Sequence, residues 1–245
     1  MKRKLRACAV PAMLVAVLAL AGCSAGVTAA TTAAAEAAAS GKLSVVATTN
    51  VWGDIAESVG GDHVAVTALI DDPSIDPHEF QADARDQLAI AKANVVIENG
   101  GGYDDFAGTM LATVKNPKRV TLNAVDLSRT TQSLDGSINE HVWYDFPTVT
   151  RVVEALRGTL ATLDPAHAAA YQANASALTT KLGALEASTA DLKAKYAGKG
   201  AAITEPVPLY LLNAIGLVDK TPTKFSEAIE NGSDVAPSVL RETLA

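Results

Sequence analysis

The chain has 245 residues, with 20 Lys and Arg against 27 Asp and Glu, for a net charge of −7. Four of the basic residues and none of the acidic ones lie in the first 22 positions, so the remainder carries 16 basic against 27 acidic residues, net −11. An acidic surface argues against nucleic acid as a partner and is compatible with cations. The length from residue 23 onward suits one large or two small α/β domains.

Lys2, Arg3, Lys4 and Arg6 precede an apolar stretch from Ala9 to Leu20, too short to span a bilayer comfortably and of the length of a secretion signal. It ends in Leu20-Ala21-Gly22-Cys23, small residues before a thiol, which resembles the lipobox of bacterial lipoproteins. The expectation is cleavage before Cys23, lipid on Cys23, and an extracytoplasmic protein anchored to the membrane by that lipid. Cys8 would leave with the signal, so the core would hold together without a disulfide. Residues 23–41 are mostly Ala, Thr, Gly and Ser and read as a flexible tether.

From Lys42 the pattern alternates between strand and helix. Leu43 to Ala47 is a β-branched run, and Asn50 stands as a cap for a helix in which Val51, Ile55 and Val59 recur every four residues before Gly60. Strands are expected at Val64 to Ile70, Val95 to Ile97 and Arg119 to Leu122, with helices at Ala84 to Ala93 and Phe106 to Val114. This βα rhythm predicts a parallel sheet covered by helices on both faces. After Pro147, the residues Val149, Val152, Val153, Leu156 and Leu160 form a helical stripe. Asp164-Pro165 then opens a helix expected to run unbroken to about Tyr196, either a strut between two lobes or a coiled-coil arm. Strand and helix signals resume at Ala201 to Thr204 and Leu209 to Ile215, and Pro237 opens a last helix with Val239, Leu240 and Leu244 on its apolar face. The fold class is thus α/β, with two lobes of parallel sheet joined by one long helix and an incomplete C-terminal lobe. The expected divisions are 42–147 for the N-terminal lobe, 148–198 for the linking helices and 199–245 for the C-terminal lobe.

Of four histidines, His63 and His167 are expected in solvent. His78 lies in Asp76-Pro77-His78-Glu79-Phe80 and His141 in His141-Val142-Trp143-Tyr144-Asp145, both in loops between a strand region and a helix. Open α/β sheets bind ligands outside the carboxyl ends of their strands, where these loops and Glu205, after the strand Ala201 to Thr204, would meet. Two imidazoles and a carboxylate suit Zn²⁺, Mn²⁺ or Fe²⁺.

From Lys42 onward the sequence resembles the zinc and manganese solute-binding lipoproteins of metal ABC importers. The resemblance rests on Thr48-Thr49-Asn50-Val51-Trp52-Gly53-Asp54-Ile55, on Asp76 to Phe80 with Asp86 downstream, and on the loop Asn99-Gly100 with Tyr103 and Phe106. It rests also on His141, Trp143 and Asp145, and on Glu205 before Tyr210 and Gly216-Leu217. It implies a metal site of His78, His141 and Glu205, Zn²⁺ or Mn²⁺ as the transported ligand, an ABC permease in the membrane as partner, and a monomer. The family's fourth ligand, an acidic residue of the later C-terminal lobe, is expected beyond Ala245. Departures are Ala82 in place of a proline, Phe146 between Asp145 and Pro147, the prolines at 206 and 208, and the lack of a histidine-rich loop in Thr130 to Asn139. Competing readings are a surface adhesin or an organic-solute-binding protein of the same fold. A metallohydrolase is disfavoured because Ala82 stands where a zinc-protease helix would place its second histidine.

Overall fold

The structure, a computed structural model, describes residues 41–129, 133–134 and 137–245. The signal, Cys23 and the tether lie outside the described residues, as does part of Thr130 to Asn139.

Four strands, β1 (Leu43–Thr49), β2 (Val64–Ile70), β3 (Val95–Glu98) and β4 (Val120–Asn123), form one sheet in the order β2-β1-β3-β4. Every pairing in it is parallel, with Val45 opposite Val66 on one side and Val95 on the other. The connecting helices are α1 (Asn50–Gly60), α2 (Ala84–Lys92) and α3 (Asp105–Thr113), followed by the single turn α4 (Ala124–Leu127). Parallel strands require such crossovers, and helices on both faces explain why β1 is buried continuously from Ser44 to Thr49 and β3 from Val95 to Ile97. Alternate side chains of β1 go to opposite cores. Val45 and Ala47 join Trp52 and Val59 of α1 in the larger core, whereas Val46 packs with Ala89 and Ile90 of α2 and Met110 of α3.

A short antiparallel hairpin, β5 (Ser133–Leu134) with β6 (Ser137–Ile138), precedes α5 (Phe146–Leu163). The stripe Val149, Val152, Val153, Leu156 and Leu160 of α5 closes the larger core against the sheet. Each such buried aliphatic side chain contributes about 1.5–3 kcal/mol.

The long helix is α6 (Ala168–Tyr196), 29 residues and about 44 Å. It packs on α1 and α5 rather than standing free as an arm. Its buried residues Tyr171, Ala175, Leu182 and Thr189 make one narrow stripe at spacings of four and seven. It does not run unbroken from Pro165: residues Pro165–His167 form a separate 3₁₀ turn. Asn50 is the first helical residue of α1, not its cap, since Thr49 occupies the cap position without a side-chain bond.

His63 and His167 are not simply solvated. Their rings stack with centroids 3.8 Å apart, and Asp164 Oδ2 lies 2.6 Å from His167 Nδ1 while accepting from Tyr171 Oη at 2.8 Å.

Beyond α6 the structure adds β7 (Gly200–Ala201), α7 (Leu209–Ile215), β8 (Val218–Asp219), α8 (Thr223–Glu230) and α9 (Pro237–Thr243). β7 and β8 pair in parallel, so this region holds a strand pair where the sequence shows one strand, and β7 stops three residues short of Thr204. Leu240 of the last helix and Leu244 just after it remain exposed.

Candidate metal centre

The loops at the carboxyl ends of β1, β2 and β3 emerge along one edge of the sheet. The loop after β2 carries His78. Asp76 Oδ1 accepts from the His78 amide at 2.9 Å, Pro77 restricts the backbone, and the Glu79 amide donates to Asp76 O at 3.2 Å, which makes a tight turn. Phe80 packs edge-on against Phe106 of α3 at 4.7 Å. Asp83 then caps α2 in a reciprocal box with Asp86. These contacts hold the loop on both sides of an imidazole whose side chain is 30% exposed.

The loop after β3 is Asn99 to Asp104. Asn99 is fully buried; its Oδ1 accepts from Trp52 Nε1 at 3.1 Å and its Nδ2 donates to Glu140 O at 2.9 Å. Asp104 accepts from the Asn99 and Gly100 amides at 2.6 and 2.8 Å. Gly100 has φ +78°, and a Cβ there would come within 2.4 Å of the Asn123 side chain, so glycine is required on both counts. The turn delivers Tyr103, whose ring lies 5.2 Å from His78, 5.6 Å from His141 and 4.9 Å from Trp143. Burial pushes the Tyr103 phenol well above its usual range, so it stays neutral.

His141 is buried, at 2% exposure. Its Nδ1 lies 2.7 Å from Asn139 Oδ1, an acceptor, so Nδ1–H donates there and Nε2 is the nitrogen turned to the cleft. Asn139 also receives the His141 amide at 3.1 Å, while its Nδ2 donates to Pro206 O at 3.1 Å and its carbonyl accepts from Tyr210 Oη at 2.6 Å. One buried asparagine therefore ties the imidazole to the segment that follows Glu205.

The three residues expected from the sequence all line one cavity of about 390 Å³, together with Asp76, Tyr103 and Glu230. Within it His78 and His141 converge, but on a carboxylate other than the expected one. Glu230 Oε1, at the C-terminal end of α8, lies 3.4 Å from His78 Nε2 and 3.3 Å from His141 Nε2. Glu140 Oε1 is 3.6 Å from His78 Nε2. Among the described residues Glu205 makes no ion pair with either histidine. An acidic group is thus already present at the histidines within the described residues, whereas the sequence reading placed the fourth ligand beyond Ala245.

Charge in the cleft is coupled. Burial alone would raise the Glu230 carboxyl, but the two imidazoles outweigh it and hold the group down at about 2. Reciprocally, Glu230 raises His78 above its usual 6.5 against the opposing effect of burial, with Glu140 and Asp76 adding to the rise. Sequence reasoning missed Glu230 because α8 was not recognised; Pro222 ahead of the helical spacing of Phe225 and Ile229 was the available signal. Glu140 was visible only as the neighbour of His141.

Fold and cleft together define an α/β protein with a histidine–carboxylate centre of metal-ligand composition at the carboxyl edge of a parallel sheet. A profile of the family described as zinc-uptake complex component A, periplasmic, matches residues 45–244, and the chain belongs to that family. It is 29% identical over 167 residues to the manganese-binding lipoprotein MntA of Bacillus subtilis, covering 67% of this chain and 52% of that protein. It is 30% identical over 148 residues to the iron-binding protein YfeA of Yersinia pestis, covering 60% and 47%. The chain thus spans about half the length of the curated relatives it matches. Among solved structures it resembles the solute-binding protein FpvC of Pseudomonas aeruginosa in complex with Mn²⁺, with a TM-score of 0.68, 26% identity and coverage of 83% of this chain and 74% of that one. A ZnuA crystal structure shares the fold at a TM-score of 0.70 and 19% identity, covering 82% and 76%.

Proposed function

We propose that this chain captures a divalent transition metal, zinc or manganese, outside the cytoplasm and delivers it to an ABC importer in the membrane. The observation that carries the reading is the convergence of His78 Nε2 and His141 Nε2 on one carboxylate oxygen, at 3.4 and 3.3 Å, in a cleft where open α/β sheets bind ligands. Neutral imidazole and carboxylate are the donors that zinc and its neighbours in the first transition row prefer. Family membership and the metal named for MntA and for the FpvC complex support the same class of cargo.

His78 and His141 serve as nitrogen donors, and Glu205 is the carboxylate that the family resemblance adds from the cavity wall. A centre lined by protein donors captures an ion rather than activating water upon it, so binding and release are its chemistry and no catalytic step is assigned. No described helix is long and apolar enough to cross a membrane. Retention at the membrane is assigned to lipid on Cys23 on the strength of the lipobox-like Leu20-Ala21-Gly22-Cys23, and the protein is taken to act as a monomer by family resemblance.

Chelator competition with Zn²⁺ and Mn²⁺ on purified protein tests this. His78→Ala and His141→Ala should each lower affinity by well over the roughly 10–100-fold typical of losing a residue that only supports a ligand. His63→Ala and His167→Ala, distant from the cleft, should leave affinity unchanged. Equal effects from all four substitutions would remove the assignment.

A further inference from the structure

Building on the metal-capture reading, we infer that residues 71–77 form a swinging strap that carries His78, and that Ile75 is its latch. Seated in a second cavity behind the strap, Ile75 holds His78 away from His141 and lets the ion leave.

Two cavities meet at this segment. Pro73, Ile75 and Pro77, with Tyr103, line both the metal cleft of about 390 Å³ and a separate space of about 170 Å³. These residues are therefore the wall between the two. Val51, Ile70 and Trp143 line the second space and not the first, and give it an apolar side. An engineered cavity of about 150 Å³ holds a benzene molecule, so the space admits an isoleucine side chain. Close packing leaves few such voids in a folded protein, and one directly behind a ligand-bearing loop gives that loop room to move.

The segment is held mostly by itself. Every residue from Asp71 to Asp76 is exposed. Asp72 Oδ1 accepts from the Ser74 amide at 2.9 Å and from Ser74 Oγ at 2.7 Å, and Asp72 O accepts from the Ile75 amide at 3.1 Å. Among the described residues, no hydrogen bond reaches residues 72–77 from outside the stretch 72–80. Both ends are fixed: Ile70 is 4% exposed in β2, and Phe80 packs on Phe106 ahead of the capping box of α2. Between those anchors Pro73 and Pro77 stiffen the chain, so it moves as one piece. His78 travels with it, because its amide is bound to Asp76 Oδ1 at 2.9 Å.

Ile75 supplies the drive. It stands 41% exposed at the rim of both cavities, in a segment otherwise made of Asp, Ser and Pro. Burying one such side chain shifts an equilibrium about 10–100-fold. With Ile75 out, His78 Nε2 and His141 Nε2 converge on one carboxylate oxygen. With Ile75 in, the wall recedes from the cleft and takes the His78 imidazole with it. Ion release is then coupled to the burial of a side chain that never touches the ion.

Zn²⁺ release from the intact protein into a chromogenic chelator, followed by stopped flow, tests the latch in Ile75→Ala and Val51→Phe. The first removes the side chain that seats, and the second fills its seat. Circular dichroism checks that both fold. Both should slow release about 10-fold or more, the share of the opening equilibrium that burial of Ile75 supplies. Both should also suppress the change in tryptophan emission that accompanies release in wild type, since Trp143 lines the seat while Trp52 is fully buried. A side chain that merely braced the loop would act in the opposite sense, and Ile75→Ala would then release the ion faster. Release at or above the wild-type rate from folded Ile75→Ala overturns the strap and leaves metal capture in place. If wild type takes up no Zn²⁺, the capture reading fails, and the strap with it.

Discussion

Replacing Asn139 separates the support of His141 from the docking of the C-terminal region, because one side chain does both. Its Oδ1 serves His141 Nδ1 at 2.7 Å and the His141 amide at 3.1 Å, and its Nδ2 serves Pro206 O at 3.1 Å. Asn139→Ala leaves these groups without their partner in a site only 2% exposed. An orphaned buried polar group costs about 1–3 kcal/mol, so with water reaching some of them a total loss of about 2–4 kcal/mol is expected. The imidazole also loses the acceptor that fixes its proton on Nδ1, which should lower metal affinity about 10–100-fold. Asn139→Asp keeps the acceptor and makes it anionic, which raises the basicity of the ligand, but it removes the donor and turns a negative charge toward Pro206 O. It should therefore retain metal affinity while losing about 1–3 kcal/mol of stability. Urea unfolding and Zn²⁺ chelator competition on both variants check this. Equal metal affinities for the two would refute the tautomer argument, and wild-type stability for Asn139→Ala would refute the account of docking.

Glu98 is half-buried at the end of β3, and burial holds its carboxyl above the ordinary 4.5 despite a 3.0 Å bond from Asn123 Nδ2, with Asp104 and Asp126 adding to the rise. A carboxyl with a raised folded-state value contributes stability that is fully present below its unfolded value and lost as pH rises through the folded one. Glu98→Gln should match wild type in acid and become the more stable of the two as pH rises toward neutrality; a gap that widens toward acid in thermal melts would reverse the sign. Gly100→Ala must hold φ +78° with a Cβ 2.4 Å from Asn123, at a strain of about 1–3 kcal/mol before Asn123 is displaced, and an unchanged melting temperature would contradict the close approach. Cys23→Ala should leave the protein exported but released from the membrane, because lipid on one residue is its proposed anchor. Retention in the membrane fraction after washing would count against that anchor.

What the sequence determined by itself was everything governed by local periodicity. The strand Val64–Ile70 and the helices near 84 and 105 are readable because side chains alternate on a strand and recur every three to four residues on a helix, and neither pattern needs a distant partner. His78 and His141 were visible because each stands in a loop with its own proline or aromatic signature. The weakly patterned end was legible only in part: β7 and β8 have two residues each, too few for any period, and α8 was overlooked. Tertiary structure alone decided which acid faces the histidines. Glu205, Glu230 and Glu140 are chemically alike along a chain with 27 acidic residues, and nothing local distinguishes a carboxylate aimed into a cleft from one on a solvated face. The choice arises from how α8 folds back over the sheet edge, and from the long-range bonds of Asn99 and Asn139 that set the height of His141 within it. Such contacts join segments far apart in the chain, so they are properties of packing and leave no periodic trace in the sequence.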